Sequence, residues 1–184
     1  TTLPQLPVEH IEELVHLWQQ RFTELSRDEK IKYIFMFENK GEPVGVTMPH
    51  PHGQIYGYSV LPKRIDEELS NSKKYLEKTG NCLICDILKN EYSEKSRVIT
   101  ENEDFAVILP FFADYPYGIY VISKKHRQNI AEFDGKEQHS FAEILKLATG
   151  TLDALFDKSF PYMMCMYQNP VNCGDYSAYN HFHV

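Results

Sequence analysis

No apolar run in this chain approaches the roughly 20 residues that a membrane-spanning helix needs. The opening Thr1-Thr2-Leu3-Pro4 has neither the charge nor the apolar stretch of a secretory leader. Both absences point to a cytoplasmic protein with no membrane partner. A basic block is missing too: with a formal charge of −7, no cationic stripe exists to neutralise a nucleic-acid backbone, which excludes a general nucleic-acid binder. An anionic small molecule is not excluded, because a few local donors suffice for it. Cysteine is scarce, and four in 184 residues cannot build a disulfide scaffold. Cys165 and Cys173 have no pairing relation, whereas Cys82-Leu83-Ile84-Cys85 has metal-ligand or redox spacing.

What is present suits a globular chain. Hydrophobic residues make up 42% and aromatics 13%, enough for a core in one domain or in one and a half units of a repeated architecture. Residues 8–27 carry Ile11, Leu14, Val15, Trp18, Phe22 and Leu25 on one helical stripe. The run 31–37 is strongly β-prone, 38–43 is turn material, and a further strand is expected from His50 to Tyr58. Residues 62–81 are charged without a clean period and read as a connector. Two strands follow at 105–109 and 118–123, joined by an aromatic, proline-rich loop expected at the surface or as a lid. Asp134 with Glu137 forms a capping box for a second amphipathic helix, striped by Phe141, Ile144, Leu145, Ala148, Leu152 and Leu155. Residues 162–167 are another strand.

The two halves share an order: amphipathic helix, apolar strand, Asn-containing turn, then His-x-His. Phe37-Glu38-Asn39 answers to Tyr167-Gln168-Asn169, and the interval from Asn to the first His is 11 residues in one half and 12 in the other. The period is about 130 residues. The second half has a Cys-x-x-Cys, two strands and a His ahead of its helix that the first half lacks, so the chain is expected to be part of a longer polypeptide. The predicted organisation is residues 1–64 as the later part of a first repeat, 65–81 as a connector and 82–184 as a second repeat.

The densest chemistry lies in His50-Pro51-His52-Gly53-Gln54. On a strand, His50, His52 and Gln54 project from one face. Pro51 favours an edge position, and Gly53 would let a ligand approach the backbone. Cys82, Cys85, His126 and His181 could close a tetrahedral, structural zinc site. A buried cysteine pair beside unrelated histidines, or a redox dithiol, are the alternatives. By the repeat, His50 occupies the place of His181 and becomes a zinc ligand whose partners lie outside this chain. His52 is then left for chemistry: a neutral imidazole is a good nucleophile near pH 7, and attack on phosphorus gives a phosphoramidate. Gln54 can donate to phosphoryl oxygens, and Asn39, Gly45 and Thr47 can offer donors to the same group.

These strings closely resemble the galactose-1-phosphate uridylyltransferase family of the histidine-triad superfamily. Phe37-Glu38-Asn39-Lys40-Gly41 with His50-Pro51-His52-Gly53-Gln54-Ile55 matches its first repeat, and Ser159-Phe160-Pro161-Tyr162 with His181-Phe182-His183 its second. Ordinary histidine-triad hydrolases carry a third His where this chain has Gln54. The resemblance implies an α+β fold of two pseudo-repeats, each a mainly antiparallel half-barrel sheet with packed helices, the first incomplete here. It implies a ping-pong exchange of UMP between UDP-glucose and galactose 1-phosphate, with His52 as nucleophile. Gln54, Asn39, Gly45 and Thr47 would hold the phosphates, Phe37 would lie near the nucleotide, and homodimers are usual. Some members hold iron in the second repeat through a Glu and three His. Glu68, His181 and His183 match that set, but Tyr167 stands where one His is expected, so zinc at Cys82, Cys85, His126 and His181 is favoured. A related ADP-sugar or dinucleoside polyphosphate phosphorylase or transferase, or a zinc-stabilised nucleotide-binding module without turnover, are the competing readings.

Overall fold

A computed structural model describes residues 2–44 and 52–184. Four helices and six strands follow one another as α1 (Val8–Leu25), β1 (Tyr33–Lys40), β2 (His52–Tyr58), α2 (Lys63–Thr79), α3 (Leu83–Glu94), β3 (Val98–Glu101), β4 (Phe105–Ile108), β5 (Tyr120–Ser123), α4 (Gly135–Leu155) and β6 (Tyr162–Met166). The class is α+β. All strand pairs are antiparallel and form two three-stranded sheets, ordered β2-β1-β6 and β3-β4-β5.

The segment 181–184 joins these sheets. His183 bridges Ile122 of β5 on one side and Tyr167, just past β6, on the other. Val184 exchanges two 2.8 Å backbone hydrogen bonds with Val121, while His183 and Tyr167 exchange another pair at 2.8 and 3.3 Å. Alternate residues of this segment therefore bond to opposite neighbours, and the strand order becomes continuous from β2 across to β3.

Helices cover both faces, and the strand period shows which residues meet which helix. On β4, Phe105 and Val107 enter the core of α1 and α4, while Ala106 and Ile108 pack with Ile84 and Leu88 of α3. Both faces of β4 are thus buried, as its unbroken apolar run requires. On β1, Ile34 and Met36 face α1 and α4, and Tyr33 packs under Ile65 and Leu69 of α2. The rings of Phe105, Phe133, Phe141 and Phe182 meet edge-on or tilted at 5.0–5.6 Å, each contact adding roughly 0.5–1.5 kcal/mol beyond area burial. The predicted capping box opens α4: Asp134 accepts from the Glu137 amide at 2.9 Å, and Glu137 accepts from the Asp134 amide at 3.1 Å. A cap of this kind contributes about 1 kcal/mol.

Several expectations are corrected. Residues 63–79 are a helix, and its stripe of Ile65, Leu69 and Ser72 follows i, i+4, i+7. It is too short in apolar residues to stand out among so many charges. α3, for which no helix was expected, begins at the Cys-x-x-Cys, with Cys82 at its N-cap. β1 runs through Glu38, Asn39 and Lys40 because Lys40 is buried against Asp153 at 2.9 Å, so a charge suited to a turn is held in a strand by its ion pair. Leu155, expected on the buried stripe of α4, is 61% exposed at the helix end. The β4–β5 loop is a surface loop as expected, with Phe111 and Tyr115 exposed.

Candidate functional site

Among the described residues β2 ends its sheet's strand order, and its register places His52 directly opposite Asn39, Gly53 opposite Glu38 and Gln54 opposite Phe37. Opposed residues of an antiparallel pair share a face. His52 and Gln54 therefore project with Asn39, Phe37 and Phe35 from the face that carries α2 and α3. α2 covers only the Tyr33 end of that face. Further along, Phe35 and Phe37 stack at 5.2 Å and Tyr56 meets Phe37 edge-on at 5.1 Å, an aromatic wall leading to His52. His52, Gln54, Phe37 and Asn39 are all half-buried. The Asn39 side-chain oxygen is fully enclosed without a hydrogen-bond partner, which costs about 1–3 kcal/mol unless a ligand group donates to it.

Gly53 faces the other way. A Cβ there would make only ordinary contacts with the Phe37 carbonyl and Trp18, at 3.7 and 4.0 Å, so no protein neighbour requires glycine at this position. His50, Gly45 and Thr47 lie outside the described residues.

Beneath the same open face, Glu38 is buried on the α1/α4 side. Desolvation raises its carboxyl above the usual range, partly opposed by the Tyr162 hydroxyl, which donates to it at 2.5 Å.

The second cluster is Cys82, Cys85, His126 and His181, whose ligand atoms all lie within 4.8 Å of one another; among the described residues it is the one group of three or more His, Cys, Asp or Glu able to hold a metal. Cys82 caps α3 and Cys85 lies in its first turn, where the helix dipole favours thiolates. His126 follows β5, and His181 opens the segment that joins the sheets. Sγ of Cys85 lies 3.4 Å from Nδ1 of His126 and 3.3 Å from Nδ1 of His181; Sγ of Cys82 lies 3.8 Å from Nδ1 of His181.

Each imidazole is fixed from behind. His126 Nε2 lies 2.8 Å from the Ser177 carbonyl, and His181 Nε2 lies 2.7 Å from the Ser123 carbonyl. A carbonyl only accepts, so both rings carry their proton on Nε2 and aim an Nδ1 lone pair at the sulfurs, the outer-shell arrangement that orients histidine ligands. The two thiols are driven apart in acidity. Hydrogen bonding from Cys85 holds Cys82 far below the ordinary thiol range, and the same contact with burial holds Cys85 above it. Two sulfurs and two imidazole nitrogens facing one point fit a four-coordinate metal cofactor. A disulfide is absent, and no strand-to-helix redox turn surrounds the pair.

Glu68 and His183 meet, at 3.7 Å between Oε1 and Nε2. His181, the third member of that set, turns both nitrogens elsewhere. The position of the expected fourth ligand holds the Tyr167 ring, stacked on His183 at 4.8 Å and 3°. Ser123, Ser177 and Tyr120 were not anticipated: the first two act through backbone carbonyls, which every residue possesses.

The N-terminal domain profile of galactose-1-phosphate uridyl transferase matches residues 1–62, and the C-terminal domain profile matches 67–184. The enzyme of Thermotoga maritima named galactose-1-phosphate uridylyltransferase is 44% identical over all of this chain and 57% of its own length. That of Saccharomyces cerevisiae is 38% identical over all of the chain and 52% of its own. Among solved structures, a uridylyltransferase superposes with a TM-score of 0.92 at 30% identity, over 99% of this chain and 56% of the other. An ADP-glucose phosphorylase from Arabidopsis thaliana with bound ADP-glucose superposes at 0.91 and 26% identity, over the whole chain and 58% of the other. The class these matches define is the uridyl transferases. Within it, the chain belongs to the galactose-1-phosphate uridyl transferase family, and it spans about half the length of the curated relatives it matches.

Proposed function

We propose that the protein of which this chain forms part exchanges UMP between UDP-glucose and galactose 1-phosphate, with His52 as the group that carries UMP. The observation that bears most weight is the cross-strand pair of His52 and Asn39 on a half-open sheet face, beside an aromatic wall, with an enclosed Asn39 oxygen awaiting a donor. A ribose hydroxyl or a base N–H would supply it. In the first half-reaction the imidazole nitrogen bonds to the α-phosphorus of UDP-glucose, the bond to the bridging oxygen breaks, and glucose 1-phosphate leaves with the electron pair. In the second, a phosphate oxygen of galactose 1-phosphate attacks the same phosphorus and the P–N bond breaks. Gln54, two residues along the same face, donates to the phosphoryl oxygens and cannot act as an acid or base toward water. Phe37 lies against the nucleotide, and Gly45 and Thr47 complete the phosphate contacts.

Cys82, Cys85, His126 and His181 hold zinc in this reading. Ligand distances of about 2.3 Å to sulfur and 2.0 Å to nitrogen in a tetrahedron put S and N roughly 3.5 Å apart, and the observed edges of 3.3, 3.4 and 3.8 Å bracket that value. Zinc here contributes to folding, since four protein ligands leave no position for a reacting water. His50 serves a second zinc in the first repeat, and iron at Glu68 is disfavoured by the turn of His181. The histidine-triad pseudo-repeat, the division at 1–64, 65–81 and 82–184, a homodimer and a cytoplasmic location belong to the same reading. No described helix is long and apolar enough to cross a membrane.

The likeness to the ADP-glucose phosphorylase supports a second reading, in which the base is adenine and the acceptor is phosphate. Incubating the full-length protein with UDP-glucose and with ADP-glucose, each labelled at the α-phosphorus, tests both. Acid-labile label on His52 from UDP-glucose, discharged by galactose 1-phosphate, is the expected result. Label only from ADP-glucose favours the second reading, and no label from either with the fold intact leaves a binding module.

A further inference from the structure

Alternate residues of β1 face α1 and α4, and that face changes character halfway along: Ile34 and Met36 are followed by Glu38 and Lys40, all four buried. Ionisable side chains on the core face of a strand are costly unless they are paired. Lys40 is paired. Its Nζ lies 2.9 Å from Oδ1 of Asp153, which also accepts from the Phe160 amide at 2.7 Å, and it stands 5.0 Å from the centre of the Tyr162 ring. Glu38 accepts from the Tyr162 hydroxyl at 2.5 Å, and among the described residues no cation lies within ion-pair distance of it. Two carboxylates and one ammonium therefore leave a single negative charge uncompensated behind β1. That charge lies under the chemistry. Glu38 pairs with Gly53, the residue after His52, and precedes Asn39, which His52 faces across the strands. Burial raises the Glu38 pKa most; Tyr162, Lys40 and then a charged His52 ring act against it. The field of each group thus reaches the other through the strand pair, and such a field is reciprocal.

We propose that the Glu38 carboxylate, held by Tyr162 behind β1, is the counter-charge to the His52 ring once that ring carries UMP. The inference rests on the transferase reading. When a neutral imidazole nitrogen bonds to phosphorus, glucose 1-phosphate leaves with the electron pair of the broken P–O bond. The other ring nitrogen keeps its proton, so the ring becomes a cation. An anion already fixed in a water-poor setting favours that cation, and the transition state leading to it, without having to move. Glu38 lies on the opposite face of the sheet from the ring, so it is a positioning residue acting by its field. A unit charge about 10 Å away through protein shifts such an equilibrium by about tenfold.

The test compares the native full-length protein with Glu38→Gln, which removes the charge but keeps an oxygen to accept from Tyr162, and with Glu38→Asp, which keeps the charge. Each is brought to equilibrium with glucose 1-phosphate and UDP-glucose labelled at the α-phosphorus, and the labelled fraction gives the equilibrium constant of the first half-reaction. That constant is expected to fall about tenfold in Glu38→Gln and to stay within about threefold of native in Glu38→Asp. A side chain that only shapes the site would slow labelling and its reversal alike and leave the constant where it was. An unchanged constant in Glu38→Gln, or an equal fall in both variants, overturns the inference. So does a melting temperature lowered by more than about 5 °C in Glu38→Gln, because exchanging a buried carboxylate for its neutral isostere should not weaken the fold. No label on the native protein overthrows the transferase reading itself; label there with any of these contrary results overthrows the counter-charge alone.

Discussion

His52 and His183 sit in like strings, each two residues after another histidine, yet the fold treats them in opposite ways. Among the described residues His52 lies on the outermost strand of its sheet, half-buried, on the face it shares with Phe37 and Asn39. His183 lies between two sheets, 2% exposed, its ring stacked on Tyr167 at 4.8 Å and on Tyr120 at 5.2 Å. Its Nδ1 donates to the His181 carbonyl at 3.0 Å, and Glu68 closes off its Nε2 at 3.7 Å. No phosphate can reach that ring in line. Position in the strand order leaves the His52 ring half-buried on the face of Phe37 and Asn39; central position stacks the His183 ring between Tyr167 and Tyr120 and leaves its neighbour His181 to the cysteine cluster.

The sharpest way to break this contrast is to remove each ring. His52→Ala in the full-length protein is expected to lower transfer by at least about a thousandfold with metal content unchanged. His183→Ala should leave transfer within about tenfold while lowering stability by roughly 2–4 kcal/mol, read by urea unfolding, because it empties a stacked buried site. Similar loss of transfer in both variants would erase the distinction. Cys82→Ser should reduce bound metal to near zero by elemental analysis and lower the melting temperature, with release of 181–184 visible as faster exchange at the Val121 and Val184 amides. A full metal complement would show that the four side chains do not act together. Asn39→Ala, which deletes the enclosed oxygen, should raise KM for the nucleotide sugar about tenfold without changing metal content.

The smallest effect belongs to the seam between the halves. Glu12 on α1 accepts from His139 on α4 at 2.8 Å, and this hydrogen bond raises the His139 pKa above its ordinary value, helped by Glu143. A raised histidine pKa means that the folded state binds the proton more tightly. The contribution is complete below about pH 6.5, and it fades as pH rises through the elevated value. The melting-temperature difference between the protein and His139→Gln should therefore be present at pH 6 and vanish in alkaline buffer. A constant difference would assign it to packing instead.

Much of this was legible beforehand where period and chemistry coincide. The stripe of α1, the capping box of α4, the existence of strands near 31–37 and 50–58 and the grouping of Cys82, Cys85, His126 and His181 all follow from spacing and donor type. α2 escaped because Ile65, Leu69 and Ser72 are few against its charged residues, and its burial depends on Tyr33 waiting beneath it. The extension of β1 through Lys40 escaped because Asp153, which neutralises it, is more than a hundred residues away.

The chain's own letters settle which side chains can do chemistry: imidazoles, thiols and an amide at fixed spacing, because reactivity and local period are properties of short stretches. Exposure is another matter. Whether a histidine faces substrate, metal or two tyrosine rings depends on which strand lies at an edge and which is enclosed, and pairing between residues far apart in the chain decides that.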